Sequence, residues 1–149
     1  MTTELQLQEG LQTQIRSLDA FDTKHVVIND WTLLDERPSK QPLFIIANTD
    51  TLDAAQAASN RSEGTIPIYG TLCVRFSDWK PSLDLFRDTR QAIVTLFENT
   101  TGARSLGLEA VTVETITAGT AVDYLNIPDG NSQLPIWIVQ RLDFNVRLF

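Results

Sequence analysis

The C-terminal segment alternates large apolar and polar residues more regularly than any other part of the chain. A period of two residues is typical of a half-buried β-strand, because successive side chains point to opposite faces of a sheet. A slip of one residue would place the large apolar side chains in water, so the register of this strand is tightly set. The alternation runs through Ile136, Ile138, Leu142, Phe144, Val146 and Leu148 on one parity and Trp137, Val139, Arg141, Asp143, Asn145 and Arg147 on the other.

Four further segments have the composition of strands. Val26–Ile28 and Leu43–Ala47 are short β-branched and aromatic runs, and the second is apolar on both parities, which indicates a strand covered on both faces. Thr65–Asp78 alternates, and Gly70 interrupts its apolar face, which is typical of a bulge. Leu108–Thr117 is predicted as a further strand, with Ala110, Thr112, Glu114 and Ile116 on one face and Val111, Val113 and Thr115 on the other. These segments supply the remainder of the predicted sheet.

Two segments have the spacing of amphipathic helices. The first starts at a capping box formed by Thr3 and Gln6, and Gly10 weakens it by about 1 kcal/mol relative to alanine. The second is predicted from Pro81, which suits a first turn, to Asn99, with Gly102 as its stop. The apolar faces consist of Leu7, Leu11, Ile15 and Leu18 in the first helix, and of Leu85, Phe86, Thr89, Ala92, Ile93, Leu96 and Phe97 in the second.

The order of these segments predicts one α+β domain over residues 1–149, a mostly antiparallel sheet with two amphipathic helices packed on one face. The chain is 42% hydrophobic and long enough to bury a core without disulfides or metals. Thr49–Gly64 is a long polar stretch between two strands, and loops of this length in compact domains are usually functional or disordered. We expect it to be mobile in the free protein and ordered by a partner.

Few residues suggest chemistry. The single histidine, His25, is expected at the surface, and the single cysteine, Cys73, is expected to be a small packing residue rather than a nucleophile. Asp19/Asp22 and Asp50/Asp53 have spacings that could pair carboxylates, although such pairs arise freely in an acidic chain. We therefore predict no enzymatic activity, no catalytic residues, no metal and no cofactor. Trp31, Trp79 and Trp137 could line a pocket, but tryptophan more often belongs to a core or an interface.

The net charge of −7 opposes binding to a phosphate backbone, because that affinity comes from lysine and arginine. The N-terminus has neither a basic segment nor an apolar run, so no secretory signal is expected, and no segment is long enough for a membrane span. The sequence thus predicts a protein made in a cytosol and used there or carried out inside a particle.

The order of segments resembles that of the tail terminator proteins of long-tailed bacteriophages, of the minor tail protein U type. The resemblance is one of pattern and extends over nearly the whole chain, although the region Thr100–Gln133 is longer than in the shortest members. It rests on Leu7–Leu18, Pro42–Asn48, Thr65–Asp78, Trp79–Glu98 and Pro135–Phe149.

The resemblance implies a structural virion protein, made in the cytoplasm of a bacterial host and located in the tail or neck. Tail terminator proteins form a homohexameric ring that caps the tube built from the tail tube protein. The ring ends tube polymerisation and joins the tail to the head–tail connector protein. DNA passes through such a ring without specific binding, so we expect an acidic channel, with Asp50, Asp53 and Glu63 as the candidate channel-facing residues. The alternative is that these three carboxylates solvate an outer surface. The alternatives are another connector, a stopper or adaptor, or a small cytosolic ligand-binding or enzymatic module.

Overall fold

A computed structural model shows an α+β fold and describes residues 3–34, 42–47, 64–76, 78–99, 101–119, 122–125 and 137–149. The strands are β1 (Val26–Ile28), β2 (Leu43–Ala47), β3 (Gly64–Arg75), β4 (Val111–Ala118), β5 (Asp123–Leu125) and β6 (Trp137–Leu148). The helices are α1 (Glu4–Arg16), α2 (Trp79–Asn99) and the short α3 (Thr101–Arg104), and two 3-10 turns cover Thr23–His25 and Thr32–Leu34.

The six strands form one mixed sheet in the order β1-β2-β3-β6-β4, and β5 pairs with the first part of β6. Only β1 and β2 run parallel, and the other pairs are antiparallel, so the predicted class is confirmed. The C-terminal strand β6 lies in the interior of the sheet, where it pairs with β3 from Gly64↔Leu148 to Arg75↔Trp137. The regular alternation of this segment therefore belongs to a strand with neighbours on both sides.

Helix α1 begins as its sequence predicts. The Thr3 hydroxyl accepts from the Gln6 backbone N–H at 3.2 Å, and the Gln6 side chain accepts from the Thr3 N–H at 2.9 Å. Leu7, Leu11 and Ile15 are completely buried, as a stripe at helical spacing requires. The helix is thus held at its start by the capping box and along its length by one apolar face.

Helix α2 contains Pro81 in its first turn and ends at Asn99, as predicted, but the assignment of Gly102 as its stop is wrong. Gly102 lies inside α3, and the left-handed turn comes later, at Leu106 (φ 54°) and Gly107 (φ 70°). Arg104 closes the end of α2 by donating from its guanidinium to the carbonyls of Phe97 and Glu98.

Both long helices cover the same face of the sheet and share one core. Phe44, Phe97 and Phe144 form its aromatic centre, with ring centroids 6.1 Å apart for Phe44 and Phe144 and 5.4 Å apart for Phe97 and Phe144. The main buried contributors are Leu7, Leu11 and Ile15 from α1, Phe86, Ile93 and Phe97 from α2, and Ile66, Ile68, Leu72, Leu142, Phe144 and Val146 from the sheet.

Two predictions about strand details are wrong. Gly70 is not at a bulge, because β3 pairs with β6 in unbroken register through Gly70↔Leu142, and the ring of Phe44 occupies the space over the glycine. The bulge is in β4, at Glu114, where the register shifts between Val113 and Thr115. The bulge lets Val113 and Ile116 pair with Val146 and Phe144, two residues of the same parity, so the predicted placement of Ile116 on the face opposite Val113 is wrong.

The expectation that His25 lies at the surface is also wrong. His25 is 2% exposed, and its Nδ1 has no hydrogen-bond partner among the described residues. It ends a 3-10 turn directly before the buried Val26. A single histidine beside a lysine gives no periodic signal of burial, so the sequence alone could not place it.

Candidate functional site: the polar face of the sheet

The sheet face opposite the helices is divided into an apolar end and a polar end. At the apolar end, Leu34 from the second 3-10 turn covers a small buried cluster that also includes Leu43, Ile45, Cys73 and Trp137. The indole N–H of Trp137 donates to the Leu34 carbonyl at 3.1 Å, which fixes the turn on the sheet. This contact satisfies the polar group of a tryptophan that is otherwise fully buried.

Cys73 belongs to this cluster and is completely buried. Because burial disfavours the thiolate, the pKa of the thiol is raised from 9.0 to about 12. A thiol that is both inaccessible and protonated is a poor nucleophile, so the structure agrees with the predicted packing role.

The remainder of this face carries polar side chains and is here called the polar face. No helix lies over it among the described residues, and its side chains are exposed or half-buried. It consists of Thr65, Tyr69 and Thr71 from β3, Arg141, Asp143, Asn145 and Arg147 from β6, and Glu114, Thr115 and Thr117 from β4.

Arg141 contacts both an aromatic ring and a carboxylate of the polar face. Its guanidinium lies 4.3 Å from the centroid of the Tyr69 ring, and its Nε lies 2.8 Å from Oδ1 of Asp143. The second nitrogen, Nη2, donates to Oδ2 of the same carboxylate at 3.1 Å. A stacked, forked arrangement of this kind suits arginine and not lysine, because the planar guanidinium supplies both contacts at once.

Cross-strand contacts order the part of the polar face beside β4. The Asn145 amide donates to the hydroxyls of Thr115 at 2.8 Å and Thr117 at 3.4 Å. Arg147 Nη1 lies 3.2 Å from Oε1 of Glu114, and the two side chains are 54% and 38% exposed. Each such exposed pair stabilises the fold by about 1 kcal/mol or less, so their main consequence is order rather than stability.

The polar face is balanced in charge, since Arg141 and Arg147 match Asp143 and Glu114. A depression of about 620 Å³ at one end of this face is wide open to solvent and contains the Glu114–Arg147 pair; it is lined by Gly64, Thr65, Glu114, Arg147, Leu148 and Phe149. Side chains that are already held by one another lose less conformational entropy on binding, which suits contact with another protein.

The structure does not test the predicted channel residues. Asp50, Asp53 and Glu63 all lie outside the described residues, as does most of the Thr49–Gly64 loop. The acidic channel and the mobile loop therefore both stay predictions.

Asp22, one of the paired aspartates, accepts from the Lys24 N–H at 3.4 Å and caps a 3-10 turn. Trp137 is buried, whereas Trp31 and Trp79 are 45% and 59% exposed.

The residues of the polar face were visible in the sequence only as the polar parity of β6 and β3. That parity predicts which side chains share a face, but it does not predict that Arg141 stacks on Tyr69, the residue directly opposite its ion-pair partner Asp143. Within the described parts of the chain, no group of three or more potential metal ligands occurs.

None of the described helices is both long and apolar enough to cross a membrane. Comparison with known protein families and with curated proteins finds no match for this chain.

Proposed function

We propose that this chain is a structural protein of a bacteriophage virion that forms a homohexameric ring on the end of the tail tube. In this role it stops tube polymerisation and provides the surface to which the head–tail connector binds. The ring would arise from head-to-tail contacts between copies, which close into rings when the rotation between neighbours permits it.

The observation that carries the proposal is the arrangement of elements around the C-terminal strand. An N-terminal helix and a second long helix lie on one face of the sheet, and β6 lies between β3 and β4. The resemblance to tail terminators implies this set of parts: a first amphipathic helix, a helix across a sheet, and a closing C-terminal strand. The likeness is one of sequence pattern, and the α+β class that the pattern predicted is the class observed.

The chemistry of the polar face also supports an assembly role. The face presents stacked and paired side chains, namely Tyr69, Arg141, Asp143, Asn145 and Arg147, whose geometry is set within the chain. Arginine and tyrosine are enriched among the residues that dominate protein interfaces. We infer that the polar face is a contact surface of the assembled ring.

The test is to mix the purified protein with tail tubes assembled from the tube protein of the same phage and to image them by negative stain. We expect a six-fold ring at one tube end and an arrest of tube elongation. Arg141→Glu should lower the fraction of capped tubes, because it breaks the contacts with Tyr69 and Asp143. Arg87→Glu is the matched control, since Arg87 is exposed on α2, on the opposite side of the sheet.

Each alternative gives a different result. Uncapped tubes and a monomeric protein would rule out the terminator role, and binding to connector rings in place of tubes would identify a stopper or adaptor. A loss of capping of about tenfold in Arg141→Glu, equivalent to about 1.4 kcal/mol, with normal capping by Arg87→Glu, would assign the polar face to the contact. Equal capping by both variants would remove the polar face from the proposal.

A further inference from the structure

The two edges of the sheet differ in how their backbone groups are satisfied. At the β1 edge, the Val26 carbonyl accepts from the side chains of Gln12 at 2.9 Å and Arg16 at 3.0 Å, both from α1. The Val26 carbonyl of this three-residue strand is therefore occupied by side chains of α1. Short edge strands whose backbone groups are occupied are poor templates for edge-to-edge pairing.

The β4 edge is open among the described residues, because β4 pairs with β6 and with no other strand. The Gly119 N–H donates to the Arg141 carbonyl at 2.7 Å, so the alternation of an antiparallel ladder directs the backbone groups of Ile116 and Ala118 away from β6. The strand contains no proline, lysine or arginine, and the carboxylate of Glu114 is paired with Arg147 of the same chain. The usual guards of an exposed edge are thus limited to the bulge.

The bulge at Glu114 confines the regular part of the open edge to Thr115–Ala118. On the helix side, this part borders a groove of about 310 Å³ between α2 and β4. Val94, Phe97, Val113 and Ile116 form its apolar lining, with Glu98, Arg104, Glu114 and Thr115 at its rim. The edge therefore offers unpaired backbone groups beside an apolar surface, which is the combination that a further strand can use.

We propose that a second copy of this chain pairs with this edge, β4 against β4, about a two-fold axis at Ile116. In that register each Ile116 faces its equivalent, Thr115 faces Thr117 of the second copy, and Glu114 faces Ala118, so no carboxylates meet. A two-fold contact is self-complementary and needs only one surface, and the sheet is already antiparallel on this side. The pair of Ile116 side chains extends the apolar lining of the groove in both copies.

The extent of the edge also sets the strength of this contact. Four residues bury far less than the roughly 1,000 Å² expected of a stable interface, so the dimer is weak and depends on concentration. The proposal rests on the open edge and not on the proposed ring. It describes the free protein and holds whether or not the chain caps a tube.

Disulfide trapping tests both the contact and its register. In the proposed pairing, Thr115 and Thr117 of the second copy form a non-hydrogen-bonded pair, with Cα atoms about 4.5 Å apart, a separation that a disulfide can span. We expect a disulfide-linked dimer when Thr115→Cys and Thr117→Cys proteins are mixed under mild oxidation, and none from either protein alone. The wild type is the control, because its only cysteine, Cys73, is fully buried.

A second pair of variants separates backbone pairing from chance collision. Ala118→Pro in both partners removes an outward-directed N–H from the edge and should lower the yield of the linked dimer, because only the central Ile116 pair then keeps its backbone hydrogen bonds. Ala118→Ser retains that N–H and should leave the yield unchanged. Circular dichroism confirms that each variant is folded, as expected for exposed positions. Equal linkage by the single variants alone, or no linkage in the mixture of folded proteins, would overturn the proposal. If the protein caps tubes but forms no disulfide-linked dimer, the edge contact is rejected and the proposed ring is not.

Discussion

Gly70 illustrates how one residue is set by its neighbour across the sheet. A Cβ at this position would lie 2.2 Å from Cζ and 2.5 Å from Cε1 of Phe44, a ring that is completely buried. Because the surrounding core is closely packed, the ring has little room to move away. We expect Gly70→Ala to lower the free energy of unfolding by about 1–3 kcal/mol, the usual cost of overpacking, as measured by urea denaturation.

A double-mutant cycle identifies the cause of this loss. Phe44→Leu removes the ring atoms that the new methyl group would meet, so Gly70→Ala should cost less in that background. Additive effects of the two substitutions would show that the steric account is incorrect and that the alanine acts through the strand itself.

Titration of the Cys73 thiol should make the free energy of unfolding depend on pH in the alkaline range. Its folded-state pKa of about 12 lies above the ordinary value of 9.0, so the thiol contributes fully to stability below pH 9. That contribution is lost as the pH rises toward 12, and it could approach about 4 kcal/mol, since each tenfold change in an equilibrium is about 1.4 kcal/mol. We expect unfolding free energy to fall between these two pH values.

Cys73→Ala is the control for this titration. The substitution leaves a small cavity and lowers stability at all pH values, but it removes the titrating group. The slope of unfolding free energy against pH above 9 should therefore be smaller in the variant. Identical slopes would assign the alkaline loss to other groups. In the native wild type, thiol reagents should label Cys73 only upon unfolding, because the side chain is inaccessible.

Among the helices and strands, α1 shows a conflict between local propensity and packing. Gly10 costs the isolated helix about 1 kcal/mol relative to alanine. In the fold, however, a Cβ there would lie 2.7 Å from the carbonyl oxygen of Leu106 and 2.9 Å from its Cβ. The glycine thus permits close approach between α1 and the left-handed turn that follows α3.

We expect Gly10→Ala to destabilise the protein by about 1–3 kcal/mol, because backbone atoms of the turn cannot yield as a flexible side chain would. Gly102→Ala is the matched control. It lies in a short helix, and a Cβ there would have no atom within 4 Å, so it should be neutral or stabilising by up to about 1 kcal/mol. Thermal unfolding of both variants measures the difference. A stabilised Gly10→Ala protein would contradict the close approach.

Each chain has a net charge of −7, and in the proposed ring the position of the acidic side chains relative to the passage for DNA is what matters. The polar face carries equal numbers of paired cations and anions, so it adds no net charge of its own. The predicted acidic lining therefore depends on residues elsewhere, and Asp50, Asp53 and Glu63 remain the candidates from the sequence. The physical requirement is that like charge lines a path along which a polyanion slides without adsorbing.

We expect replacement of Asp50, Asp53 and Glu63 by lysine to convert an assembled ring into a DNA-binding ring whose affinity falls steeply with salt. Replacement by asparagine and glutamine is the control, because it removes the negative charge without adding a positive one. The measurement is DNA retention by the ring at two salt concentrations. Normal assembly of the lysine variant without a gain in DNA affinity would place these residues outside the channel.

Local periodicity in the sequence was sufficient to predict the α+β class, the two helices and the long strands. The alternation of β6 fixed its polar and apolar faces, and Leu7, Leu11 and Ile15 identified the buried side of α1. The capping box at Thr3 and the packing role of Cys73 were also predicted correctly. These features depend on residues within a few positions of one another.

Tertiary structure decided the features that depend on distant partners. It placed β6 between β3 and β4, moved the bulge from Gly70 to Glu114 and buried His25. It also stacked Arg141 on Tyr69, occupied the Val26 carbonyl at the β1 edge with Gln12 and Arg16, and gave β4 no second partner strand among the described residues. Periodicity specifies which way a side chain points, but strand order and close approach are set by packing between elements far apart in the chain.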